Sequence, residues 1–174
     1  MTDPTPDTHD LRAGVPLHDR LLALLPLVGR WRGVGAGIAP ESGNQFAFGQ
    51  QVTFTHDGRP FLAYESRSWL LDQDGNTVRQ AWRESGFWRP GATDDDIEVA
   101  LASNTGQTLA FVGRAGDLRW EIATVSAVPL PTAVTVDGER RLYAMADDLL
   151  RYATELAPAG HDYAPHLNAQ LVRV

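Results

Sequence analysis

The chain contains no cysteine and no lysine. Without cysteine there is no disulfide, thiolate metal site, iron–sulfur cluster, cysteine nucleophile or covalent CxxCH haem attachment. Without lysine all 15 basic residues are arginines, which excludes a Schiff-base mechanism and a P-loop lysine. Codon bias in a GC-rich genome accounts for that choice. Positive charge is scarce overall. The net charge of −7 disfavours nucleic acid and anionic membrane as partners, since both reward a basic surface. No run approaches the roughly 18 consecutive apolar residues of a membrane span. Residues 1–16 lack an apolar run behind a basic start, so no signal peptide is expected and the expected location is cytoplasmic. There is no G-x-S-x-G elbow and no assignable Ser/His/Asp arrangement.

What is present describes one globular domain. Its 174 residues are 43% hydrophobic and 21% charged, enough to bury a core without staples. Residues 1–16, broken by prolines and a glycine, read as a flexible N-terminal arm, leaving residues 17–174 as the domain. Leu17, Leu21, Leu24 and Leu25 recur at helical spacing, which predicts a short helix ending near Pro26 that plugs one end of a barrel. After Gly29, short apolar-aromatic runs alternate with turn residues such as Asp57-Gly58, Asp74-Gly75, Pro90-Gly91 and Asp147-Asp148. Asp137-Gly138 reads as either a bulge or a turn. The count is about ten antiparallel strands, an all-β up-and-down barrel of the calycin or lipocalin kind. Trp31 on the first strand and Arg173 on the last are expected to stack where the barrel closes.

Few residues offer chemistry. Of the five histidines, His9 lies in the arm, His18 is placed to cap the helix, and His56 is expected to be solvated beside its turn. His161 and His166 remain, and with no cysteine partner a closed structural zinc site is not expected, though one histidine can hold haem iron alone. Strict alternation puts His166 with Asn168 and Gln170 on the face opposite Leu167, Ala169 and Leu171, a wet face unless the strand starts later. The acidic clusters Asp94–Asp96 and Asp147-Asp148 fall at turns and supply too few ligands for calcium. Glu84 is placed either inward, as a polar pocket group, or outward against Arg79 or Arg83. Glycines 33, 35 and 37 alternate on one strand and thin one face for a close neighbour or a flat ligand.

Several segments together resemble the nitrobindins, a family of haem-binding, fatty-acid-binding-protein-like β-barrels. They are Gly29-x-Trp31-x-Gly33-x-Gly35, the runs Phe48–Phe54 and Gly58–Tyr64, Glu84-Ser85-Gly86-Phe87-Trp88-Arg89, and the ending His166-Leu167-x-Ala169-x-Leu171-x-Arg173. The likeness covers about residues 20–174. It implies a ten-stranded barrel with one non-covalent ferric haem b per chain. His166 would be the axial iron ligand, and no catalytic residue is implied beyond the iron. It further implies isomerisation of peroxynitrite to nitrate and reversible NO binding.

Three positions depart from the family pattern, and they are the other expected cofactor contacts. Trp82 stands where the family commonly has a distal histidine, Ser42 where it has a threonine, and Val134 where it has a lysine, for which Arg140 or Arg141 would have to substitute. Two alternatives therefore stay open: a haem-free carrier of a fatty acid or similar apolar ligand, and a barrel filled by its own aromatics that serves as an interaction module. The expected partner is a small molecule, with no nucleic acid and no membrane. A homodimer and the choice between His161 and His166 are left open.

Overall fold

A computed structural model describes residues 5–174. A 3₁₀ helix (Asp19–Leu27) precedes ten strands: β1 (Gly29–Ile38), β2 (Gln45–Thr55), β3 (Leu62–Leu71), β4 (Thr77–Pro90), β5 (Asp96–Ser103), β6 (Gln107–Gly116), β7 (Arg119–Pro129), β8 (Val136–Ala146), β9 (Leu149–Pro158) and β10 (Ala164–Arg173). Each strand pairs antiparallel with its sequence neighbours, and β1 also pairs with β10 to close the expected barrel. The period-2 pattern drives this: on β5, Ile97, Val99 and Leu101 are buried while Glu98, Ala100 and Ala102 face out. Among the described residues, no helix is long and apolar enough to cross a membrane.

The leucine-rich segment plugs one end, but with a different period from the one expected. Leu21, Leu24 and Leu27 are buried at every third position, while Leu25 is exposed. Pro26 has no N–H to donate to an α-helical ladder, and the 3₁₀ turn aligns residues three apart. His18 caps the start as expected, its Nδ1 accepting from the Arg20 N–H at 3.2 Å. Two indoles fasten the plug: Trp31 Nε1–H donates to the Leu27 carbonyl and Trp120 Nε1–H to the Ala23 carbonyl, both at 2.8 Å. Arg173 lies opposite Trp31 in register, stacks over its ring at 4.1 Å, and donates to the Pro26 carbonyl at 2.9 Å. Such a stack contributes about 1–2 kcal/mol when partly desolvated. Gly29 (φ +149°) leaves room for this arginine, because a Cβ there would stand 2.1 Å from Arg173 Nη1.

The stretch expected to be a flexible arm includes residues 1–4, which lie outside the described residues. Farther along it, Thr8 bridges His56 through two backbone hydrogen bonds of 2.8 and 2.9 Å. His56 is therefore not solvated as expected: it is 1% exposed, with no partner at either ring nitrogen. Burial lowers its pKa against the opposing pull of Asp57 and Asp7.

Asp147 and Asp148 both take positive φ and form a two-residue hairpin turn between β8 and β9. Asp57-Gly58 and Asp74-Gly75 instead lie in longer loops where only the glycine is left-handed. Asp137-Gly138 is a bulge, since the register with β9 shifts between Val136 and Gly138. Every register shift recorded among the described residues lies towards the end away from the plug. Bulges bend a wall and re-aim side chains, and barrel rims next to sites are where they concentrate. That open end is the place to look for function.

Candidate functional site

Aromatic side chains fill the plug half of the barrel. Trp31, Trp88, Trp120 and Phe54 are fully buried there. Above them the interior becomes polar. Tyr152 donates to Gln50 Oε1 at 2.7 Å, and Gln50 donates to Ser66 at 2.8 Å. Glu84 resolves inward: Arg141 grips it with two 2.7 Å bonds and also holds Glu139 at 2.9 Å. All three side chains are largely buried. Burial pushes the Glu139 carboxyl up, with Arg141 pulling it down and Glu84 adding to the rise. Arg141 keeps its proton because the two carboxylates outweigh the cost of burial.

His166 sits at the open end above this triad, on a bulge. Pro165 pairs with Glu155 and Leu167 with Thr154, so His166 is the extra, unpaired residue of β10. That bulge overturns the alternation which placed it on a wet face with Asn168 and Gln170. The ring is half-buried, and its Nδ1 lies 3.0 Å from the Ile38 carbonyl oxygen. A carbonyl only accepts, so Nδ1 carries a proton, and in the neutral ring Nε2 keeps a bare lone pair. A carbonyl on one ring nitrogen is the usual support for a metal-binding histidine. His161 is exposed in the turn before β10.

Beside it, across Phe46, a cleft of 370 Å³ opens in the mouth, lined by Ala39, Ser42, Asn44, Gln45, Phe46, Leu70, Arg79 and Trp82. Phe46, Phe48 and Trp82 form its aromatic wall, with centroids 5.2–6.2 Å apart. The inward glycines of β1 make room for these rings, since a Cβ on Gly37 would meet Phe46 at 2.2 Å and Leu167 at 2.8 Å.

Of the residues anticipated for the site, Ser42 and Trp82 line this cleft and His166 stands at the same end. Val134 lies in the rim loop, 64% exposed, and only its carbonyl is engaged, by Gln107. Neither proposed substitute for the missing lysine is free: Arg141 is held by two glutamates, and Arg140 stacks on Tyr163 at 3.9 Å. The cation at the cleft is Arg79, which sequence reasoning missed. β4 carries an extra residue between Gln80 and Arg83, opposite Ser68, and this bulge turns Arg79 to the side of Trp82. Only the strand pairing reveals it.

A closed barrel with a filled base, an aromatic mouth and one supported imidazole donor defines a small-ligand barrel suited to a flat, iron-bearing group. The donor set fits haem: one bare imidazole nitrogen, an aromatic wall, and a cation with hydroxyl and amide groups at the rim. Residues 20–173 match the family described as "THAP4-like, heme-binding beta-barrel domain", and the chain belongs to that family. It is 43% identical to a protein of Salinispora arenicola (strain CNS-205) named peroxynitrite isomerase, over 99% of this chain and 90% of that one. It is 46% identical to a ferric nitrobindin-like protein of Corynebacterium diphtheriae, over 97% of this chain and 75% of that one. The crystal structure of Rv2717c from M. tuberculosis shares the fold, with a TM-score of 0.79 at 31% identity, covering 91% of this chain and 99% of that one.

Proposed function

We propose that this protein binds one haem b per chain, non-covalently, at the open end of the barrel, and isomerises peroxynitrite to nitrate while also binding NO. The observation that carries this reading is the bulged His166, whose Nδ1–H is anchored on Ile38 and whose Nε2 is left bare. When bound, ferric haem supplies the Lewis-acidic, redox-active iron at which a nitrogen-oxide anion rearranges. The chain's own residues bind, orient and exclude water. His166 Nε2 would hold the iron. Phe46, Phe48 and Trp82 keep water from the cleft, and Trp82 brings one N–H donor where an imidazole would bring an exchangeable proton. Arg79, with Ser42 and Asn44, meets the anionic edge of the group from the rim. No side chain is assigned a catalytic role of its own.

A fatty acid entering carboxylate first is disfavoured by charge. A carboxylate entering the barrel needs a buried cation, and Arg141 already faces Glu84 and Glu139. Two carboxylates against one guanidinium repel a third.

A hemin titration followed at the Soret band tests the proposal. Saturation at one equivalent is expected for the wild type and loss of the shift for His166→Ala, with the far-UV dichroism unchanged. Stopped-flow decay of peroxynitrite with nitrate as product then tests the activity. An unchanged Soret band in His166→Ala would overturn the ligand assignment.

A further inference from the structure

The outer wall carries a second concavity. Arg32 on β1, Gln51 on β2 and Arg67 on β3 pair in register across the outside of the barrel, and Arg83 on β4 continues the row. A cleft of 280 Å³ lies beside this row, lined by Arg32, Gln51, Arg67, Trp69, Thr77 and Gln80. It lies on the opposite face of the β3–β4 wall from the mouth cleft.

The backbone is shaped for it. Trp69 lies flat on the wall because Gly49 has no side chain, and a Cβ there would stand 2.2 Å from the indole Nε1. The extra residue in β4 places Gln80 opposite Trp69, and a second extra residue at Val78 places Thr77 opposite Leu71. Both polar groups thus come to the outer side.

The charge is equally uneven. Arg32 stacks 5.3 Å from the Trp69 ring centre and is in no ion pair among the described residues. Arg67 and Arg83 share one carboxylate, Glu65. Three guanidiniums against one carboxylate make an electropositive strip on a chain of net charge −7, and a concave wall focuses that field.

We propose that this outer cleft binds a small aromatic carboxylate. A guanidinium fork matches a carboxylate with two parallel N–H···O bonds, and the stack on Trp69 holds Arg32 ready to present it. The ligand's ring packs along the indole edge, and its polar substituents meet the Gln51 and Gln80 amides and the Thr77 hydroxyl. At 280 Å³ the cleft falls just under the ~300 Å³ where pockets for drug-sized ligands begin, a size that a single-ring ligand matches.

The test is a titration of the full-length protein with 4-hydroxybenzoate, read by ¹H–¹⁵N correlation spectra, with inorganic phosphate titrated in parallel. Saturable shifts are expected at the Trp69 indole N–H and the Gln51 and Gln80 side-chain amides. Arg32→Ala is expected to weaken binding about tenfold, the worth of one charge-assisted contact. Trp69→Leu is expected to remove the preference over phosphate, with the remaining spectrum reporting an intact fold. Absence of saturable shifts at these groups would overturn the proposal. So would equal affinity for phosphate, which would make the row an unselective anion patch. Shifts confined to Trp82 and Arg79 would overturn it too, by placing the ligand in the mouth.

Discussion

Trp82 and Gln80 stand two residues apart on β4, yet on opposite sides of the barrel wall. Trp82 packs inward on Phe48, and Gln80 faces out beside Trp69. One extra residue between Gln80 and Arg83 breaks the period of two, and that break also delivers Arg79 to the mouth. It therefore supplies the rim cation that Val134 lacks.

Arg79→Ala is expected to weaken hemin binding about two- to fivefold, since an exposed ion pair contributes roughly 0.5–1 kcal/mol. The difference from wild type should shrink at high salt, where exposed charges are screened. Soret titrations at low and high ionic strength measure both effects. Equal affinities at low salt would remove Arg79 from the site.

The triad predicts an asymmetry between its members. Arg141→Leu leaves two buried carboxylates without a cation and is expected to cost about 3–5 kcal/mol. Glu139→Gln keeps the two 2.7 Å bonds between Arg141 and Glu84 and should cost far less. Burial raises the Glu139 carboxyl above its ordinary 4.5. The stability it contributes is therefore full below that value and lost as pH rises through its folded pKa. Glu139→Gln should flatten that loss, which urea denaturation across pH measures.

His56 gives the opposite dependence. Burial lowers its folded pKa below 6.5, so the neutral ring is accommodated above that pH, and stability is lost as pH falls towards and through the folded value. The Thr8–His56 bridge should open first. Hydrogen exchange at these two amides is expected to quicken between about pH 7.5 and about pH 5.5, after correction for intrinsic rates. His56→Leu should abolish that change.

Gly35→Ala tests the thinned face of β1. The new Cβ would lie 2.3 Å from the Asn168 carbonyl oxygen and 2.5 Å from the Phe48 ring, forcing β10 to shift. A cost of about 1–3 kcal/mol is expected by thermal denaturation. Because Asn168 is two residues from His166, hemin affinity should fall as well.

The sequence by itself determined the barrel and its family. Alternating burial and turn residues are local, so they are written in the order of the chain: ten strands, Asp147-Asp148 at a hairpin, Trp31 awaiting Arg173. The ending from His166 to Arg173 likewise carried the resemblance. Only the tertiary structure decided which way particular side chains face. A bulge belongs to a pair of strands rather than to one. His166 reads as a wet residue until Pro165 and Leu167 are seen to pair with consecutive residues of β9. Arg141 reads as a free cation until closure of the wall brings Glu84, 57 positions away, against it. His56 reads as solvated until the arm bridges it. In each case a partner distant in sequence determines desolvation and direction, and no local period encodes that partner.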